Sequence, residues 1–212
     1  MTEIKEIDDA IPEEMSAEIP EKRKKKRRTA PVLKPRDGLM IAFFVPVLVM
    51  ICIFAQRGIF PFGERCFLRT DMYHQYAPFF SEFQYKLRTG GSLLSSWDVG
   101  MGVNFAALYA YYLASPLNWL ILLCPKKFII EFMTIMIVIK IGLSGLSFAW
   151  YLKQHCKNCI LGVGFFGIFY ALSGYMAAYS WNIMWLDCII LFPLIVLGLE
   201  HLVKDGKGML SC

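Results

Sequence analysis

Charge is scarce once the first 37 residues are passed. Those residues hold ten of the 22 Lys and Arg and nine of the 17 Asp and Glu, so the remaining 175 positions carry only 12 basic and eight acidic side chains. Over the whole chain hydrophobic residues reach 57% and charged residues 18%, against roughly 45–50% and about 25% in soluble domains. That body cannot cover a water-soluble surface. Several chemical signatures are also missing. There is no Asn-x-Ser/Thr acceptor, no phosphate-binding glycine loop and no serine-nucleophile motif, which sets aside N-glycosylation, P-loop nucleotide hydrolysis and elbow-type serine hydrolysis. The seven cysteines (52, 66, 124, 156, 159, 188 and 212) form no disulfide framework, and most lie in or beside apolar runs as small hydrophobes. Cys156 and Cys159 have redox or zinc spacing, but one such pair is half a zinc site.

What is present is a tail followed by long apolar runs. Residues 1–37 combine an acidic stretch with the run Lys22-Arg23-Lys24-Lys25-Lys26-Arg27-Arg28, a composition with nothing to bury and therefore expected to be disordered. The basic run could bind nucleic acid or serve as a localisation signal. It stands about ten residues before a span, however, and is read as the element that keeps the N-terminus cytoplasmic, with a secondary attraction to anionic lipid headgroups and no nucleic-acid partner. No small-residue cleavage site follows the first apolar run, so it is not a secretory signal peptide.

The chain is expected to be all-α and polytopic. Residues 38–55 are near the minimum of about 17–20 that cross a bilayer as a helix, and Pro46 should kink that helix. Further apolar runs cover 128–152, 159–179 and 188–203, while 109–124 is apolar but short and interrupted by Ser115-Pro116. If 109–124 stays on one side, Lys153, Lys157, Lys204 and Lys207 all fall on the cytoplasmic side; if it crosses, all four move outside. The positive-inside rule therefore favours four spans with an interfacial or re-entrant helix at 109–124, and it leaves Lys126 and Lys127 outside. A long first external loop, about 56–127, follows. Trp97, Trp119, Trp181 and Trp185 then lie at or near the external face, as in an aromatic belt. Gly142, Gly145, Gly162, Gly164 and Gly167 suggest close helix packing.

The loop is the place to look for chemistry. Asp71 lies in Arg69-Thr70-Asp71-Met72-Tyr73-His74-Gln75-Tyr76, ahead of an amphipathic stretch in which Tyr76, Phe79, Phe80, Phe83 and Leu87 recur at helical spacing. Pro78 suits the first turn of that helix and Gly90-Gly91 its end. Its apolar face is expected to lie on the membrane surface. Asp71 would then sit just before the helix, as a plain N-cap or as a functional carboxylate. Lys140 sits inside an apolar run, where an unpaired ammonium costs at least about 2.5–3.5 kcal/mol; it either faces a polar cavity or snorkels to an interface. Asp98, before Val99-Gly100-Met101-Gly102, reads first as a turn residue. Asp187, near the last run, reads first as a helix cap and second as a lining of the same cavity. No Asp-x-Asp or Glu-x-Asp pair surrounds Asp71, so a divalent metal has no paired oxygen ligands there and the cofactor stays undetermined.

Five segments together carry a resemblance: Gly58-Ile59-Phe60-Pro61-Phe62-Gly63; residues 70–76; Ser96-Trp97-Asp98-Val99-Gly100-Met101-Gly102-Val103-Asn104; Tyr111-Tyr112-Leu113-Ala114-Ser115-Pro116; and Trp181-Asn182-Ile183-Met184-Trp185-Leu186-Asp187. In order and spacing they resemble the N-terminal part of YfhO-family bacterial membrane proteins, over residues 38–207. That family is in turn similar to the GT-C glycosyltransferases, which take a sugar from a polyprenyl-phosphate carrier. The resemblance implies that Asp71 is the catalytic base of an inverting transfer to an extracytoplasmic cell-envelope acceptor, such as a teichoic-acid-type polymer. Beside that base, Lys140, which is expected to pair with lipid phosphate or with an acidic side chain, and Tyr73, His74, Gln75, Asp98, Asn104 and Asp187 are the candidates for lipid-phosphate or substrate binding. YfhO-like proteins are generally several times longer, so this chain reads as the N-terminal part of a GT-C-like domain, with 208–212 its cut end. The competing reading is a non-catalytic multi-pass protein, a transporter piece or assembly scaffold, although the internal repeat of broken helices expected of a transporter is not evident.

Overall fold

The computed structural model describes residues 34–156 and 159–205. Most of the basic tail, Lys157 and the C-terminal residues 206–212 lie outside that range. Helix α1 spans Pro35–Gln56. A π-helical turn, Met72–Tyr76, leads into α2, Ala77–Thr89. A two-residue hairpin pairs β1, Ser95–Ser96, with β2, Val103–Asn104. Next come α3, Phe105–Leu108, a second π turn, Tyr109–Leu113, and the 3-10 helices Pro116–Leu123 and Lys126–Phe128. The chain then forms α4, Ile129–His155; α5, Ile160–Ala171; α6, Gly174–Tyr179; and α7, Ile183–Asp205.

Among the described residues four helical stretches are long and apolar enough to cross a membrane: Arg36–Gln56, Lys126–His155, Ile160–Tyr179 and Ile183–Lys204. The all-α polytopic reading therefore holds. The helix Phe105–Leu113 meets Pro116–Leu123 at 103°, the shape of a broken or re-entrant segment and not of a straight span. Ser115-Pro116 supplies the break, because proline disfavours a helical conformation in the residue before it.

Helix α4 is the hub. Of its apolar window 67% is buried, against 22–28% for the other three spans, so those three surround it and turn their remaining faces outward. Helices α1, α4 and α5 approach one another through small residues. A side chain on Gly145 would run into the Ala42 carbonyl, and one on Gly167 would come within 2.6 Å of the Ala42 Cβ. Pro46 explains why that carbonyl faces a neighbour. Proline has no N–H to donate back four residues, so the Ala42 oxygen is released from the helix ladder and meets the Gly145 Cα, a weak C–H···O contact common where membrane helices cross. Helix α1 passes Pro46 without interruption.

Two expectations need correction. The apolar face of α2 is covered by protein: Tyr76, Phe80 and Phe83 are buried, and Phe80 packs edge-on against Phe132 of α4 at 5.8 Å. Its flank is polar and holds the loop together. Gln84 donates to the carbonyls of Ile121 and Cys124 at 2.7 and 2.6 Å, and Arg88 to that of Cys124 at 2.6 Å, satisfying carbonyls that the end of a helix leaves open. The face is used up because α4 and the 105–124 segment offer it a better apolar partner than a headgroup layer would. The second correction concerns α7, which begins at Ile183 and not near 188. Asp187 thus lies in its second turn, inside the helix, because its charge is neutralised there.

Candidate functional site

Asp71 is positioned by a strained turn. The Met72 N–H donates to the Arg69 carbonyl at 2.9 Å, and between them Thr70 has φ of +44°, a region that β-branched residues rarely occupy and that tends to mark functional sites. Asp71 precedes the π turn, but its side chain makes no cap hydrogen bond. Among the described residues the half-buried carboxylate has no hydrogen-bond or ion-pair partner. Its neighbours are two tyrosines. Burial is the main cause that holds the phenols of Tyr76 and Tyr112 above the ordinary tyrosine value, and the Asp71 charge adds to both.

Beneath this turn lies a buried polar cluster drawn from four elements. The Tyr76 hydroxyl donates to Asn182 Oδ1. On α4 Lys140 is fully buried; its ammonium pairs with Asp187 at 2.7 Å and donates to the Ile183 carbonyl at 3.2 Å. The Ser115 hydroxyl donates to the other oxygen of Asp187 at 2.9 Å. Low local polarity strengthens such a network and makes each member costly to orphan. Asp187 also lines a cavity of about 410 Å³ bounded by Tyr111, Tyr112, Ser115, Met184 and Cys188. Tyr112 therefore connects the two features, since it lines the cavity and also feels the Asp71 charge.

The other residues singled out from the sequence are dispersed. Tyr73 and His74 are exposed and stack edge-on with each other at 5.1 Å, because Met72 and Tyr76 occupy the buried side of the π turn. Gln75 is half-buried. Asp98 is exposed at the tip of the hairpin, its backbone N–H donating to Ser96 at 3.3 Å. Asn104 caps α3, accepting from the Ala107 N–H at 3.1 Å. No hydrogen bond or ion pair among the described residues joins Asp98 or Asn104 to Asp71, Lys140 or Asp187. Tyr76, Ser115 and Asn182, which build the cluster, had no individual signal in the sequence: a tyrosine at helical spacing looks like core, and a Ser-Pro pair looks like a helix break. Among the described residues no three His, Cys, Asp or Glu side chains come together in an arrangement able to hold a metal ion.

Three apolar spans around a central fourth, with a polar cluster drawn together beneath a structured loop, define a polytopic helical membrane protein. A family model described as bacterial membrane protein YfhO matches residues 42–210, and the chain belongs to that family. No curated protein and no solved structure matches it.

Proposed function

We propose that this chain is a membrane glycosyltransferase, or a fragment of one, which moves a sugar from a polyprenyl-phosphate donor to an extracytoplasmic cell-envelope acceptor such as a teichoic-acid-type polymer. The observation that carries the reading is Asp71, a half-buried carboxylate on a strained turn with no hydrogen-bond or ion-pair partner among the described residues. A capping or packing role would have engaged it.

In this scheme the acceptor hydroxyl oxygen attacks the anomeric carbon as the bond from that carbon to the lipid phosphate breaks, its electron pair leaving on the phosphate oxygen. Asp71 takes the hydroxyl proton. One carboxylate suffices, because phosphate leaves without being protonated, unlike the alcohol in glycoside hydrolysis. The cavity lined by Tyr111 and Tyr112, the second of which feels the Asp71 charge, is suited to a sugar, which aromatic faces and hydroxyls bind well. Lys140 serves as a positioning residue: its ammonium is committed to Asp187 in the core, so it holds α7 and Ser115 in register and does not face the leaving phosphate.

The orientation follows from the basic tail, which keeps the N-terminus cytoplasmic and the loop of about 56–127 outside. The test compares the wild-type chain with Asp71→Asn in membranes that contain polyprenyl-phosphate-linked sugar and acceptor polymer, and also in the full-length protein if the native chain continues. Transfer falls by at least about 100-fold in the variant if Asp71 is the base. Equal transfer by both leaves the non-catalytic scaffold reading.

A further inference from the structure

We infer that Arg57 and Arg69 form the mouth of a slot for the phosphate end of a single-chain isoprenoid lipid, set between α1 and the α5–α6 span. A cavity of about 350 Å³ opens there, floored by Ile141 of α4 and walled by Met50 and Phe54 on α1 and by Leu172 and Met176 across from them. Its volume falls within the roughly 300–1,000 Å³ of ordinary ligand sites. Almost every side chain around it is apolar, and the exceptions are the two arginines and the Ser180 hydroxyl.

The polar groups all stand at one end. Arg57 follows directly on the apolar helix Arg36–Gln56, and Ser180 directly on Ile160–Tyr179. That level is where a span leaves the hydrocarbon and where lipid phosphates lie. Neither guanidinium has a hydrogen-bond, ion-pair or aromatic partner among the described residues, whereas Arg88 is committed to backbone carbonyls. Two free forks over a dry slot match a phosphate, whose oxygens accept bidentate hydrogen bonds from arginine.

A slot of only about 350 Å³ with the charge at its mouth takes one chain, and a two-chain phospholipid would leave its second chain outside. Choosing an isoprenoid phosphate over another single-chain anion rests on the transferase reading above. It gains support from position: Arg69 lies two residues before Asp71 on the same strained turn, so a phosphate held by Arg69 would place whatever it carries near that carboxylate. Lys140, buried against Asp187, is replaced in this role by the two arginines.

The purified full chain in nanodiscs is titrated with a polyprenyl monophosphate, and in parallel with the corresponding polyprenol, phosphatidylglycerol and inorganic phosphate. We expect the polyprenyl phosphate to bind at least tenfold more tightly than any of the other three. Arg57→Gln or Arg69→Gln should weaken it about tenfold each and the pair about 100-fold. Met176→Trp, which fills the slot and leaves the arginines in place, should also abolish binding, while the circular dichroism of every variant stays that of the wild type. Unchanged binding in the double arginine variant, or tighter binding of phosphatidylglycerol, overturns the proposal. Asp71→Asn separates it from the catalytic reading, since that variant should bind polyprenyl phosphate normally and fail only in transfer. If the arginine variants lose binding while Asp71→Asn still transfers sugar, the slot stands and the base falls. If Asp71→Asn is inactive while the arginine variants bind normally, the reverse holds.

Discussion

Breaking the Lys140–Asp187 pair should be far more damaging than removing it whole. In Asp187→Leu the ammonium stays fully buried and retains only the Ile183 carbonyl as a partner. An uncompensated buried charge of this kind costs about 3–5 kcal/mol. In Lys140→Met the carboxylate remains, but it keeps the Ser115 hydroxyl and its side chain is 25% exposed. Hydration lowers that cost to about 2 kcal/mol, the range for a buried polar group that loses one partner. The double variant Lys140→Met with Asp187→Leu carries no orphaned charge and should lie within about 1 kcal/mol of wild type, since apolar replacement of a buried pair is often neutral. The two substitutions are therefore strongly coupled, by about 4–7 kcal/mol. Equilibrium unfolding of all four proteins in mixed detergent micelles, followed by far-ultraviolet circular dichroism, reads each value. Additive effects within about 0.5 kcal/mol, or a Lys140→Met cost as large as that of Asp187→Leu, would refute the argument.

Helix packing makes a second prediction. Gly145→Ala places a methyl against the Ala42 carbonyl and should cost about 1–3 kcal/mol by the same unfolding assay, with Gly145→Leu preventing accumulation of folded protein. Tyr76→Phe leaves Asn182 without its donor and should cost about 1–2 kcal/mol. The same phenol sets an alkaline limit. Burial holds Tyr76 above the ordinary value of 10.0 in the folded chain, so the unfolded chain releases this proton first and stability falls as pH rises through about 10. Unfolding measured between about pH 8 and about pH 11 should show that fall, less steeply in Tyr76→Phe.

The spans were readable because length and apolarity alone decide what crosses a bilayer. The break at Ser115-Pro116 was readable because proline leaves few choices to the residue before it. Where reading failed, the deciding partner was distant in sequence. Whether the apolar face of α2 meets lipid or Phe132 depends on a contact 52 residues away, from Phe80 to Phe132. Asp187 looked like a cap because the last apolar run begins only at residue 188; only Lys140, on another helix, makes its place inside α7 tolerable. Arg57 and Arg69 gave no signal at all, since two arginines in a loop are unremarkable until a fold sets both over one slot.

The cluster explains why the loop is structured. Lys140 sits on the most buried span, Asp187 on α7, Ser115 at the loop's sharp bend and Tyr76 on the π turn behind Asp71. Each link uses a group that would be costly to leave unpaired in an apolar setting, so a shift of α7 by one residue would orphan several at once. Through Asn182 and Tyr76 the register of α7 against α4 is passed to the turn bearing Asp71, and through Ser115 to the cavity that Asp187 lines. A carboxylate on a long loop would wander by several ångströms, whereas catalysis by a single base requires its oxygen within hydrogen-bond reach of one hydroxyl. The buried charge pair is thus the means by which a pair of membrane helices fixes the position of a group more than a hundred residues away from one of them in sequence.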